Sequence, residues 1–284
     1  MDAPPGKVEA PAARQRQPGR PSWLARAGNI VFRHRKRILP LGLLALFVVF
    51  RTPSAERRLD LGVDLIGLLF CLTGQFLRAM VVGFAYIKRG GHEGRVYAEG
   101  LVMEGLFGHS RNPLYVGNIL ILLGLLIIYN NIWVYVLGVP HVLFVYSAIV
   151  AAEEFYLRGK FGDLYDDYCR RVNRWIPDPR GLSRSLAGMH YNWRRLILKE
   201  YGSSFAWILA VLALLYYEVY PSSGDHPGAV RALLGLFLFF TACWLTARYL
   251  KKFRILKDRT PPAPGAPPPS SLPDQSPGGT PVHS

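Results

Sequence analysis

The chain has 284 residues, half of them apolar, and 34 Lys and Arg against 19 Asp and Glu, a formal net charge of +15. The apolar residues are gathered into blocks with the charges between them, which excludes an ordinary soluble domain and is the pattern of a polytopic membrane protein. Cys71, Cys169 and Cys243 are an odd count without metal-ligand spacing, and the seven histidines are scattered. The two cysteines inside apolar runs read as small core residues, and neither a metal nor a nucleic-acid partner is expected.

In chain order, residues 1–28 form a Pro-, Ala- and Arg-rich segment expected to be disordered, without the apolar core of a signal peptide. A unit over 29–98 follows. Its basic run Arg33 to Arg37 abuts a first apolar stretch, Ile38 to Phe50, short against the roughly 20 residues a span requires. The second, Leu61 to Ile87, is long enough to cross with tilt. Lys88 to Ser110 is a Gly-rich, charged connection.

A core unit over 99–180 holds the third helix, about Pro113 to Tyr129, and the fourth, about Ile132 to Ala152. Only Asn130-Asn131 separates them, so the chain must fold back there. That hairpin returns Glu153-Glu154 to the side occupied by Ser110-Arg111-Asn112-Pro113-Leu114-Tyr115. A basic amphipathic connection (181–203), a C-terminal helix pair (204–257; Ser204 to Tyr220 and Val230 to Leu250) and a low-complexity Pro-rich tail (258–284) complete the chain. The expected fold is all-α, a polytopic membrane bundle of about six helices with a catalytic segment at the cytoplasmic face. With both termini inside, the basic segments 14–37, 88–111, 158–199 and 251–259 all face the cytoplasm. The loop with Arg51, Arg57 and Arg58 is the one exception.

Charges beside apolar helices are usually kept for function. Adjacent on a helix, Glu153 and Glu154 diverge by roughly 100°, so one is expected to face a pocket while the other pairs with a base or meets solvent. The bland reading is a solvated helix end. Against it stands the continuation Leu157, Phe161, Gly162, Tyr165 and Tyr168, at helical spacing and suited to the membrane surface. Asn112-Pro113 also suits a plain helix start. Gly100, Gly105 and Gly108 allow tight turns and close backbone approach, and Gly90-Gly91-x-x-Gly94 follows no strand, so it is a poor dinucleotide fingerprint. In the second helix, Asp64 is expected to be hydrated near the outer interface. Arg78, roughly 21 Å further along the axis, either snorkels or faces the bundle interior. Pro140-His141 marks a kink.

The stretch from Glu99 to about Pro177 resembles the isoprenylcysteine carboxyl methyltransferase and phospholipid methyltransferase superfamily. The resemblance rests on Leu101-Val102, Gly105, Phe107, Arg111-Asn112-Pro113-Leu114-Tyr115-Val116-Gly117 and Glu153-Glu154-x-x-Leu157 through Phe161-Gly162. It implies an integral membrane enzyme that binds S-adenosylmethionine without a Rossmann domain and acts on a lipid or lipid-linked group. The implied cofactor-binding residues are Leu101, Val102, Gly105, Phe107, Asn112, Pro113, Leu114, Tyr115, Glu153 and Glu154, and the implied catalytic residues are Arg111, Tyr115, Glu153 and Glu154. On this reading the glutamates hold cofactor hydroxyl or amino groups, Arg111 pairs with a carboxylate, and Tyr115 and Phe107 offer ring faces to the adenine or the sulfonium. Asn112 stands where the prenylcysteine branch has His, and Ala151-Ala152 where that branch carries an Arg, which points away from a prenylated-protein substrate. Two other readings compete. One is an NADPH-dependent reductase resembling the membrane sterol reductases, with Arg170, Arg171 and Arg174 around the phosphates. The other is a non-catalytic membrane scaffold.

Overall fold

The computed structural model describes residues 20–51, 60–84, 89–92, 95–98, 101–103, 105–187, 189–220, 227–253 and 255. The residues before 20, Arg57 and Arg58, 221–226, Gly100, and the tail from 256 onward lie outside them. The described chain is helical: α1 Trp23–Val49, α2 Leu61–Phe84, α3 Pro113–Tyr129, α4 Ile132–Phe161, α5 Asp163–Arg171, α6 Leu182–Ala187, α7 Trp193–Val219 and α8 Pro227–Lys252. The exception to the all-α expectation is small. In the Gly-rich connection, β1 Arg89–His92 pairs antiparallel with β2 Arg95–Ala98, Gly90 opposite Tyr97.

Four helices, α2, α4, α7 and α8, are long and apolar enough to cross a membrane, and α3 and the Arg37–Val49 part of α1 are shorter apolar helices. Six spans are consistent with this set, and the protein is an integral membrane protein.

Helix boundaries depart from the sequence reading where charge meets helix. α1 begins at Trp23, capped by Ser22 Oγ accepting from the Ala25 amide at 3.2 Å, so residues 23–28 are ordered helix rather than a disordered segment. The basic run thus rides inside α1, which extends the short apolar stretch toward the aqueous phase. α4 does not stop at Ala152 but continues through Glu153-Glu154 to Phe161, and α7 runs unbroken across the boundary expected near residue 203. A polar stretch carries no stop signal of its own. Without Gly or Pro the helix continues, and α4 ends at Gly162, whose φ of 52° suits glycine.

Two interfaces set the frame. α2 and α3 cross on small residues: a Cβ on Gly74 would lie 2.5 Å from the Gly117 carbonyl oxygen, and one on Gly124 2.5 Å from that of Gly67. Packing in lipid lacks a hydrophobic drive between helices, so backbone approach of this kind supplies the dispersion contact. α1 lies on α4 the same way, Gly28 against the Ala148 carbonyl. At the hairpin turn, Asn130 takes a left-handed conformation (φ 48°) and Asn131 caps α4, accepting from the Trp133 amide at 2.9 Å. Tyr129 Oη donates to the Phe47 carbonyl at 2.6 Å, which ties the end of α1 to this turn.

Three polar residues along α2 now have places. Asp64 is buried rather than hydrated: α7 covers the first turn of α2, leaving Asp64 only 7% exposed beside the buried Glu218. Gln75 Oε1 accepts from the Trp207 indole at 2.8 Å. Arg78 faces the interior, its Nε and Nη2 on the two oxygens of Glu200 at 2.9 Å each, Nη2 also on Ser203 Oγ at 2.8 Å and Nη1 on Asn118 Oδ1. Cys71 is buried as expected, but Cys243 is exposed on α8, where none of the described residues is buried.

Candidate active site

The site forms where the two ends of the α3–α4 hairpin meet. Tyr115, in the first turn of α3, donates its hydroxyl to Glu153 Oε1 at 2.6 Å. Arg111, just before α3, lies 3.1 Å from Glu154 Oε1. Entrance motif and twin acids are therefore joined by two direct contacts. The divergence of adjacent helical side chains takes an unexpected form, since both glutamates are engaged, each by a different part of the motif. Glu154 is the buried one, 3% exposed.

A second strand of chain closes over this junction. Residues after α5 run alongside the motif: the Arg111 amide donates to the Asn173 carbonyl at 2.8 Å, and Asn112 Nδ2 to the Arg174 carbonyl at 3.1 Å. Ser110 Oγ donates to the Trp175 carbonyl at 3.2 Å, and the Asp178 amide to the His109 carbonyl at 3.0 Å. α3 starts at Pro113 with Asn112 in the N-cap position, as its helix-start reading expects, but the Asn112 side chain makes no cap bond and its Nδ2 joins this stitch instead. The stitch carries Arg174 onto Glu154, Nε to Oε1 at 2.9 Å and Nη2 to Oε2 at 2.5 Å.

Two guanidinium groups thereby share the buried Glu154 carboxylate, Arg111 from within and the exposed Arg174 from the solvent side, so positive charge exceeds negative among these three groups. Burial works against the charge on Arg111, but Glu154, the Cys169 thiol and the Tyr165 phenol outweigh it and raise its pKa, so the guanidinium stays protonated. Arg111 Nη1 donates to Cys169 Sγ at 2.7 Å, while its buried Nε has no partner. Burial, then Glu154 and Cys169, push Tyr165 upward, so it remains a neutral phenol across the physiological range.

The remaining expected residues divide into two groups. Leu101 packs with Leu157, Phe161, Tyr165 and Tyr168 into an apolar floor next to the ion cluster. Val102, Leu106, Phe107 and Leu114 pack instead with Val81 and Leu186, between α2 and α6. The Phe107 ring is therefore core rather than a face turned to the charges, and its carbonyl accepts from Tyr168 Oη at 2.7 Å. Gly105 takes φ +59°, and a Cβ there would meet Met189 Sδ at 2.8 Å. Pro113 is fully buried at the start of α3. Arg174, Cys169 and Tyr165 were missed as members of the cluster: Arg174 was read as a phosphate ligand and Tyr165 as part of the stripe along the membrane surface. Among the described residues no group of three or more His, Cys, Asp or Glu could hold a metal ion.

Fold and site together define a membrane-embedded helical bundle with two arginines on one buried carboxylate at one end of a helical hairpin. Residues 63–164 match the phospholipid methyltransferase family, one of the two families in the superfamily that the motif resembles. The match takes in α2, which the resemblance had left out, and ends within α5. No curated protein and no solved structure matches the chain.

Proposed function

We propose that the chain is an S-adenosylmethionine-dependent methyltransferase that modifies a lipid or lipid-linked group at the cytoplasmic face of its membrane. The observation that carries this reading is the pairing of Tyr115 with Glu153 and Arg111 with Glu154 across the hairpin, inside the family-matched segment. When bound, S-adenosylmethionine supplies an electrophilic methyl group on a sulfonium.

The residues present fit that cofactor. Its methionyl end carries a carboxylate, and the cluster of Arg111 and Arg174 on Glu154 has surplus positive charge and a buried donor, Arg111 Nε, without a partner. Its sulfonium and amino group are cationic, and Glu153 and the Tyr115 ring lie at the adjoining turn of the hairpin. The described backbone at 101–103 and 105–115 runs from the floor around Leu101 to the start of α3, and we take it as the side of the site that shields the cofactor from water. Enclosure excludes water and alignment lowers the barrier; well-oriented reactants gain up to roughly 7–11 kcal/mol over a bimolecular encounter. Arg111 and Glu154 act here as binding and orienting groups, and Glu153 is the group positioned to accept a proton should the nucleophile be an amine. The positive-inside distribution, with the basic stretches at 158–199 and 251–259 on the same side as Arg111, supports the cytoplasmic placement. We take the catalytic unit to be residues 99–180 together with α2.

The reductase reading is less well supported. Arg170 pairs with Asp167 and Arg174 with Glu154, so two of the three expected phosphate ligands already have carboxylate partners. The test is transfer of labelled methyl from S-adenosylmethionine to a total lipid extract by the full chain in nanodiscs. Incorporation that Glu154→Ala abolishes is expected. Oxidation of NADPH by the same extract, without methyl incorporation, would overturn the reading.

A further inference from the structure

Between α1, α3 and α7 lies a cavity of about 970 Å³. Its wall is apolar for most of its length, with Leu39 and Leu43 from α1, Ile121 and Leu125 from α3, and Trp207 and Leu214 from α7. It is also long. α1 lines it from Arg35 to Val48, about 20 Å at 1.5 Å per residue. One leaflet of hydrocarbon is only about 15 Å deep, half of a 30 Å core. The cavity is therefore a channel for one extended chain rather than a cleft for a compact group.

One end of this channel is lined by Arg35, Asn118, Tyr146 and Ser203, and the other reaches the exposed Arg51 beyond the end of α1. The end at Tyr146 adjoins the site above, because the Tyr146 ring lies 5.5 Å from the ring of Tyr115. Arg78, anchored on Glu200, donates to Asn118 Oδ1, and the Tyr146 hydroxyl lines the channel beside Asn118. Arg35 lies 4.1 Å above the Phe32 ring and close enough to Tyr115 and Tyr146 to act on both electrostatically. Among the described residues no carboxylate forms an ion pair with Arg35, in contrast to Arg78, Arg111 and Arg174. A cation and a hydroxyl donor at the head of an apolar channel form a receptor for an anion on a hydrocarbon chain.

We propose that this channel binds the methyl acceptor, and that the acceptor is a single-chain lipid with an anionic headgroup, carboxylate or phosphate, held by Arg35 and Tyr146 beside Tyr115 and Glu153. The proposal rests on the methyltransferase reading for the word acceptor, but the lipid site itself does not. Arg35 and α1 lie outside the family-matched segment.

The test uses the full chain in detergent, without S-adenosylmethionine, and three brominated probes of equal chain length: a fatty acid, an alkyl phosphate and an alkylamine. Bromine quenches tryptophan on contact, and Trp207 lines the channel. Saturable quenching by at least one anion is expected, with the amine about tenfold weaker or more, the equivalent of one charge-assisted hydrogen bond. Trp207→Phe should remove the saturable component. Arg35→Gln should bring the anion down to the level of the amine, while Arg35→Lys retains most of the preference. The stronger of the two anions identifies the headgroup. Equal binding of amine and anions, or an unchanged preference in Arg35→Gln, would overturn the proposal. Selective anion binding by a protein that fails to bind S-adenosylmethionine would leave the lipid site standing and remove the methyltransferase reading.

Discussion

Two clusters of arginine on a buried carboxylate, Glu200 and Glu154, occupy the bundle, and they differ in how completely they are satisfied. Arg78 meets Glu200 through two nitrogens and turns the rest of its donors to Asn118 and Ser203, one cation against one anion. Arg111 and Arg174 both meet Glu154, two cations against one anion, and Arg111 Nε is left over. A saturated cluster inside a membrane protein has nothing to offer a ligand and works as a strut, here between α2, α3 and α7. An unsaturated one keeps a charge in reserve, which is favourable only when something anionic arrives.

This contrast predicts opposite responses to mutation. The largest effect is expected at the strut. Arg78→Met leaves Glu200 buried without its cation and should destabilise the bundle by about 3–5 kcal/mol, read from unfolding in mixed micelles. Adding Glu200→Met should restore a large part of that loss, since replacing both partners removes the stranded charge. If the single variant is as stable as the parent, the strut assignment is wrong.

Next comes Glu154→Ala. It should leave the bundle folded, as judged by size-exclusion behaviour and helical circular dichroism, yet weaken S-adenosylmethionine binding about 30-fold or more, the cost of losing the anchor of a buried charged group. Tyr115→Phe follows. Removing one hydroxyl donor to a carboxylate should reduce methyl transfer about tenfold or somewhat more, visible in kcat/KM with little change in stability. The smallest effect belongs to the surface. Arg170→Ala breaks an exposed pair with Asp167 and should change cofactor binding and stability by no more than about twofold. A large loss in that variant would revive phosphate recognition by the basic segment.

The sequence was most legible where local chemistry decides structure. Asn130-Asn131 between two apolar runs announced the fold-back, and the left-handed Asn130 with the Asn131 cap is what such a pair provides. From that turn the meeting of Arg111 and Tyr115 with Glu153-Glu154 followed by geometry alone. Helix ends inside polar stretches were less legible: nothing in Arg33 to Arg37 or Glu153-Glu154 says whether a helix stops, and in both places it continues. Long-range partners were not legible at all. Arg78 with Glu200, Asp64 with Glu218 and Arg174 with Glu154 depend on how α7 and the 173–178 segment dock, and each is a pairing of residues that local pattern treats as independent. The same applies to Phe107, whose aromatic character fits a ring face or a core equally well; its packing with Val81 decides for the core.

The central claim is that the unsaturated cluster at the hairpin ends receives S-adenosylmethionine. Equilibrium dialysis of labelled S-adenosylmethionine against the full chain in nanodiscs tests it most directly. Saturation at one molecule per chain, lost in Glu154→Ala and retained in Arg170→Ala, is the predicted result. A folded preparation that takes up none, or that binds NADPH in its place, would contradict it.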